Sequence, residues 1–276
     1  MLGKRKECGY MESIKAYAKG EYKQLTEEVA SQNNSLTVSE IFGPTFQGEG
    51  PFTGRAAVFL RLGRCNLDCK WCDTPYTWDW KGKNGTAYDP SFELTKMSVN
   101  SVIAETKSLM PTPFTRVVIS GGEPMLQSKG LESFVVNMRA SMVLHIDVET
   151  NGTRSPISSP FLQDDAINYV ISPKLKGSGV EWKYKWFDTL KEYKPLAEKQ
   201  KAFFKFVICD EDDIRQVEEL LEAVDWKPEH TWLMPEGRIN AELDAHSAKV
   251  AEYALTMGAN YSDRLHVRLW GDERGR

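Results

Sequence analysis

No stretch of the 276-residue chain approaches the roughly 18 consecutive apolar residues of a membrane span, and the polar start MLGKRKECGYMESIK lacks the apolar core of a signal peptide. The expectation is a cytoplasmic protein with no membrane partner. Charge of one sign is not in excess either. The 35 Lys+Arg stand against 39 Asp+Glu, a net charge of −4, which excludes coating nucleic acid through charge alone and leaves room only for a local basic pocket. Cysteine is sparse and odd in number, five in all, which argues against a disulfide framework and makes reduced thiols the default. Internal repeats and low-complexity tracts are lacking. With 41% hydrophobic and 27% charged residues the usage is that of a globular chain, long enough for one large domain or two small ones.

The texture changes at Leu36. Residues 1–36 are polar and rich in Lys and Glu, with Ile14, Tyr17, Ala18 and Leu25 loosely at helical spacing before the loop signature SQNNS. They predict a helix and a linker, an extension to a main domain over 37–276. From there, LTVSEIF, AAVFLRL, RVVIS, VLHIDVET, AINYVISP, AFFKFVI and HTWLMP read as strands. Between them, SVNSVIAETKSLM, LESFVVNMRAS, DEDDIRQVEELLEAV and ELDAHSAKVAEYALTMG place apolar residues at i, i+3, i+4 and i+7, which predicts amphipathic helices. The alternation predicts an α/β fold with a mainly parallel sheet. Segments 79–96 and 176–200, rich in Lys, Gly and aromatics, interrupt it and read as insertions at one end of the strands, the end that bears the active site in such folds.

Chemistry concentrates where Cys65, Cys69 and Cys72 follow AAVFLRL as Cys-x3-Cys-x2-Cys. Three thiolates at such separations suit three corners of a cubane iron–sulfur cluster, with one iron open to another ligand. A structural zinc would normally want four protein ligands, and no nearby His or fourth Cys is available. CNLDCKWC resembles the CxxxCxΦC signature of the radical S-adenosylmethionine (SAM) family, with Trp71 in the aromatic position. That resemblance implies a [4Fe–4S] cluster whose fourth iron is chelated by SAM, and whose reduction splits SAM to a 5′-deoxyadenosyl radical. Downstream, VVISGGEP ends a strand in Gly121-Gly122-Glu123, where glycines let backbone approach a ligand closely. It resembles the family's GGEP motif, which implies contact with the SAM amino group. HIDVETNG, with Glu149 and Asn151, and VISPK, with Ser172, Pro173 and Lys174, resemble further SAM contacts; Lys174 would bond the SAM carboxylate or ribose.

A more specific resemblance begins at SEIFGPTFQGEGPFTG. Gln47-Gly48-Glu49-Gly50, the FTG that follows and the strand ending in Arg61 are similar to the 7-carboxy-7-deazaguanine synthase family within the radical SAM enzymes. Asp73-Thr74 matches that family's CDT, whose Thr ligates Mg²⁺. WLMPEG and RLHVRLWG, the latter carrying His266, resemble its closing strands, so that the likeness covers roughly residues 37–271. The implied substrate is 6-carboxy-5,6,7,8-tetrahydropterin. Phe46, Gln47, Gly48, Glu49 and Ser120 would bind it, Arg61 and His266 would take its carboxylate, and Mg²⁺ on Thr74 would bridge to that carboxylate. The implied reaction removes hydrogen from C6, contracts the ring, expels ammonia and returns the hydrogen, so that SAM is reused.

The family also implies a partial (β/α) barrel open on one side, a homodimer that covers the open edge, and a flavodoxin or ferredoxin-type reductant. A glycyl-radical-enzyme activase shares the cysteine spacing and is the competing enzyme reading; QGEG, the CDT threonine and RLHVRLWG favour the pterin enzyme. A non-catalytic iron–sulfur or zinc module is opposed by the GGEP and SPK segments. Cys8 and Cys209 read as unligated thiols.

Overall fold

The computed structural model describes residues 34–276 apart from 113, 142, 144, 159–166 and 182. The expected N-terminal helix and linker, and Cys8, lie outside the described residues. Among the described residues nine strands form one sheet: β1 (Ser35–Phe46), β2 (Ala56–Leu62), β3 (Thr95–Ser98), β4 (Arg116–Gly121), β5 (Ile146–Thr150), β6 (Asn168–Ile171), β7 (Ala202–Ile208), β8 (Thr231–Pro235) and β9 (Asn260–Tyr261). Their order is β3-β1-β2-β4-β5-β6-β7-β8-β9. Every pair from β2 to β9 is parallel, while β1 runs antiparallel to both β2 and β3. Among the described residues no ladder joins β3 to β9, so the barrel is open, as expected.

The helices are α1 (Pro90–Glu93), α2 (Val99–Ser108), α3 (Ser128–Ala140), α4 (Tyr184–Lys191), α5 (Lys194–Glu198), α6 (Glu211–Val224), α7 (Asn240–Met257) and α8 (Leu265–Trp270). Parallel neighbours need a crossover, and α3, α4 with α5, α6 and α7 each lie between two successive parallel strands. Segment 176–200 thus carries the β6–β7 crossover, and 79–96 leads through α1 into the edge strand β3.

Side chains alternate across each strand, and this separates two interiors. Outward positions such as Leu60, Leu62, Ile119, Val148, Ile171, Phe204 and Phe206 join Leu131, Phe134, Val217 and Leu221 of the helices in the main core. Each such side chain, fully buried, contributes about 1.5–3 kcal/mol. Inward positions face a lumen, where Phe42, Ala57, Phe59 and Val118 pack together. At the strands' N-terminal ends Arg116 makes two 2.6 Å hydrogen bonds to Asp147 and lies 3.7 Å over the Phe52 ring. Phe203 contacts Phe52 and Trp232 edge-on in the same layer. With that end filled, polar inward residues nearer the C-terminal ends are left to line a cavity.

One expectation is corrected. RLHVRLWG is not a closing strand: its residues 265–270 are α8, with Arg268 N–H donating to Arg264 O and Gly271 N–H to Val267 O. Apolar and polar residues alternate over only a few positions there, too few to separate a strand from one helical turn. The chain satisfies its backbone locally as it crosses from β9 toward β1, where Leu265 N–H reaches Gly48 O at 2.9 Å.

Candidate active site

The loop after β2 and the end of β4 are fitted to one another. Gly122 N–H donates to Leu62 O and Glu123 N–H to Arg64 O, at 3.0 and 2.8 Å. A Cβ on Gly121 would stand 2.1 Å from Leu62 O, and one on Gly122 2.0 Å from Arg64 O. The two glycines are therefore required by the approach of β4 to the start of the cysteine loop. Cys65, Cys69 and Cys72 come together against Leu67, Val180 and Trp186.

Burial pushes the Cys65 thiol up to about 12 and raises Cys69 and Cys72 as well, so ligand binding must displace protons from them. Leu67 N–H points to Cys65 Sγ at 3.4 Å and the Trp78 indole N–H to Cys72 Sγ at 3.3 Å, donors suited to thiolates. Among the described residues no three His, Cys, Asp or Glu groups converge to hold a single metal ion. That is no obstacle to a cubane, whose cysteines bind separate irons. Cys209 stands apart beside Asp213, its thiol pushed up to about 12 by burial.

Glu123 is fully buried, and both its oxygens are engaged. Oε1 accepts from Met125 N–H and Thr150 Oγ1, and Oε2 from Asn151 N–H at 2.7 Å. Its carboxyl is raised by burial, against those donors, and it ties the end of β4 to the end of β5. Asn151 bonds Asn66 in the cysteine loop and Thr153. Lys174 donates to Ser172 Oγ at 3.0 Å and lies 5.5 Å over the Trp71 ring. Glu123 and Pro173 are buried and do not line the cavity, whereas Gly121, Gly122, Asn151, Ser172 and Lys174 do.

The cavity, about 350 Å³, is also lined by Phe46, Gln47, Gly48, Glu49, Arg61, Thr74, Ser120, Glu149 and His266. A charged network crosses it. Glu49 lies 2.5 Å from Lys205 Nζ and 2.8 Å from Arg264 Nε, and Arg264 Nη2 reaches Asp73 Oδ2 at 2.7 Å. Gln47 donates to Glu149 Oε1 at 3.1 Å and takes the Glu49 N–H on its own Oε1, and Lys205 lies 3.7 Å from Glu149.

Burial alone would raise Glu49, but Lys205, Arg264 and His266 hold it well below the usual carboxylate range. Burial opposes the charge on Lys205, which Glu149 and Glu49 nevertheless raise above its ordinary value. Burial lowers His266 below the ordinary histidine value, against the pull of Glu49. Its ring fills the place beside Gly48, where a Cβ would meet Nδ1 at 2.1 Å. Phe46 stacks on Trp270 at the rim.

Two buried polar atoms, Ser120 Oγ and Trp71 Nε1, have no partner among the described residues, and both residues line the cavity. An unpaired buried group costs about 1–3 kcal/mol, which a polar ligand would relieve. With three clustered thiols behind them, these residues fit a cluster and a polar cofactor. Thr74 Oγ1 lies 3.7 Å from Cys72 Sγ and lines the cavity, while Asp73 is engaged by Arg264, so an Mg²⁺ on Thr74 would draw its other oxygens from substrate and water. Sequence reasoning missed Lys205, Arg264 and Glu40. The signal for Lys205 was its charge within AFFKFVI; Arg264, in a short polar loop, gave none.

Comparison with known proteins bears on this site. Residues 60–167 match the Radical SAM superfamily. The chain is 33% identical over 242 residues to the 7-carboxy-7-deazaguanine synthase of Pyrobaculum aerophilum, covering 87% of this chain and 97% of that protein. It is 35% identical over 255 residues to the Halobacterium salinarum protein of the same name, covering 86% and 91%. The crystal structure of QueE from Escherichia coli shares the fold, with a TM-score of 0.60 and 23% identity over 84% of this chain and 95% of that one.

Proposed function

The chain belongs to the 7-carboxy-7-deazaguanine synthase family of radical SAM enzymes, and from that premise we propose how its residues divide the work of converting 6-carboxy-5,6,7,8-tetrahydropterin to 7-carboxy-7-deazaguanine with loss of ammonia. The observation that carries the division is the meeting, in one cavity, of the Gln47–Glu49 edge, the Arg61 fork and the Gly121-Gly122 strand end beside the cysteine loop. When bound, a [4Fe–4S] cluster with SAM supplies a carbon radical, and Mg²⁺ supplies a charge that orients the substrate.

Cys65, Cys69 and Cys72 hold the cluster, and the packing of Leu67, Val180 and Trp186 keeps water from it on that side. Gly121 and Gly122 offer backbone to the SAM amino group, with Glu149, Asn151, Ser172 and Lys174 completing its surroundings and Pro173, behind the cavity wall, holding Ser172 and Lys174 in place. Glu123 acts from behind them, fixing the ends of β4 and β5. Glu49, kept ionised by Lys205 and Arg264, accepts hydrogen bonds from the pterin ring, while Gln47 and the backbone of Phe46 and Gly48 read the rest of its edge. Arg61 takes the carboxylate: Glu40 holds its Nε at 2.5 Å, and no partner among the described residues occupies its two terminal nitrogens. His266 adds a donor, Ser120 Oγ gains its missing partner, and Thr74 holds Mg²⁺.

Two partners belong to this proposal, a second copy of the chain and a flavodoxin or ferredoxin-type reductant. Among the described residues no helix is long and apolar enough to cross a membrane. A reducing cytoplasm suits the free cysteines.

The test is anaerobic turnover of the reconstituted protein with SAM, reductant, Mg²⁺ and 6-carboxytetrahydropterin, followed by product mass and SAM recovery. 7-Carboxy-7-deazaguanine is expected, with SAM conserved. Slow 5′-deoxyadenosine and methionine alone, from a well-reduced and SAM-bound protein, would remove the substrate assignment.

A further inference from the structure

Residues 271–276, which follow α8, line the cavity, and two side chains fasten them, Arg274 foremost. Arg274 donates from Nε to Glu40 Oε2 at 3.2 Å, pairs through Nη1 with Glu93 Oε2 at 3.0 Å, and lays its guanidinium 3.8 Å over the Tyr76 ring. Its partners come from three places: β1, the end of α1 and the 3-10 turn Pro75–Thr77 that follows the cysteine loop. Asp272, paired with Arg238 at 2.5 Å, makes a second fastening. Gly271 and Gly275, at φ 69° and 83°, flank the pair in left-handed conformations that glycine adopts without strain.

Glu40 serves both arginines. Its Oε1 takes Arg61 Nε at 2.5 Å and the Tyr76 hydroxyl at 3.1 Å, leaving Oε2 for Arg274. Glu40 and Arg61 also face one another in the β1–β2 register. Withdrawal of Arg274 would free one carboxylate oxygen to take more of the Arg61 fork, and would leave a negative charge less compensated beside an incoming anion. The Arg238–Asp272 pair is half-exposed on both sides, and the Arg274 guanidinium is half-exposed above the more buried Glu40 and Glu93, so water reaches both fastenings and each can open and close.

We propose that residues 271–276 are a strap that retains a carboxylated substrate, that Arg274 is its clasp, and that Glu40 is a positioning residue linking the clasp to the orientation of Arg61. This rests on the reading above that Arg61 takes the substrate carboxylate. Arg274 does not touch the reacting atoms. Its effect reaches substrate through Glu40 and through the strap.

The experiment uses the reconstituted holoenzyme with SAM present and reductant withheld, so that binding is read without turnover. Equilibrium dialysis gives Kd for 6-carboxytetrahydropterin and for tetrahydropterin lacking the carboxylate, and hydrogen exchange follows the amides of residues 271–276. In Arg274→Ala the carboxylated pterin is expected to bind about fivefold to tenfold more weakly and the analogue less than twofold more weakly. Exchange over 271–276 should quicken. Arg274→Lys should recover only part of the affinity, because a single ammonium cannot span Glu40 and Glu93 while stacking on Tyr76.

Equal Kd values in the variant and the parent for the carboxylated pterin would overturn the link to Arg61. Equal exchange rates over 271–276 would overturn the clasp. Failure of the parent protein itself to bind either pterin would instead remove the reading of the cavity, and the exchange comparison would still decide the clasp.

Discussion

Lys205 sits mid-strand in β7, flanked in sequence by Phe204 and Phe206, and its ammonium is almost wholly enclosed between Glu49 and Glu149. A buried charge of this kind is tolerable only when paired, and its removal leaves the partners uncompensated. Lys205→Met keeps the bulk and deletes the charge, so a loss of about 3–5 kcal/mol is expected at neutral pH. The pH dependence follows from Glu49. Burial opposes its charge but Lys205 and Arg264 prevail, so its folded pKa lies below the unfolded one. Stability from that depression is present above the ordinary carboxylate pKa of about 4.3 and is lost as pH falls from there through the folded value. Urea unfolding from pH 8 to pH 3 should therefore show the gap between parent and variant narrowing in acid. A gap of constant size across that range would mean that Lys205 acts through packing and not through charge.

At the scale of elements, the end of β4 and the loop after β2 behave as one part. Gly122 is not in a left-handed conformation, so its necessity is purely steric: an added Cβ would meet the Arg64 carbonyl, which is backbone and cannot swing aside. Gly122→Ala is expected to push the cysteine loop outward, lowering iron loading per chain and costing stability of about 1–3 kcal/mol or more. Iron analysis after reconstitution, set beside a thermal melt, decides it, and full loading at unchanged Tm would show that the loop has slack.

This junction was legible in the sequence because motif and fold coincide there: AAVFLRL and AFFKFVI read as β2 and β7 with the observed bounds, since continuous apolar runs mark parallel strands buried on both sides. β3 was not legible, because TKMS is a four-residue, mostly exposed edge whose pairing depends on β1. The partners of Glu49 were hidden for a similar reason. Lys205 and Arg264 lie 156 and 215 residues from it along the chain, and only the curling of the sheet toward its bridged mouth brings them together.

On the scale of the whole molecule, the unclosed sheet is bridged at its mouth by the residues around α8. Gly50 N–H donates to Ser262 Oγ at 2.7 Å, Leu265 N–H to Gly48 O, and Phe46 stacks on Trp270. The same region leaves apolar surface outside: Phe46 is 43% exposed, Leu269 51% and Ile239 53%. Phe46 and Leu269 stand on the two elements that meet at the mouth, the end of β1 and α8, so apolar surface is exposed beside the gap. An open barrel gains most by covering such a patch with the same patch of a second copy, since a two-fold axis makes the surface self-complementary. The expected species in sedimentation is therefore twice the 31.3 kDa chain mass. Leu269→Glu, which sets two like charges against each other across the axis, should shift it to the monomer at micromolar concentration while leaving the cysteine loop able to load iron. A parent protein that sediments as a monomer would reject the dimer, and a dimer indifferent to Leu269→Glu would move the interface to another face of the barrel.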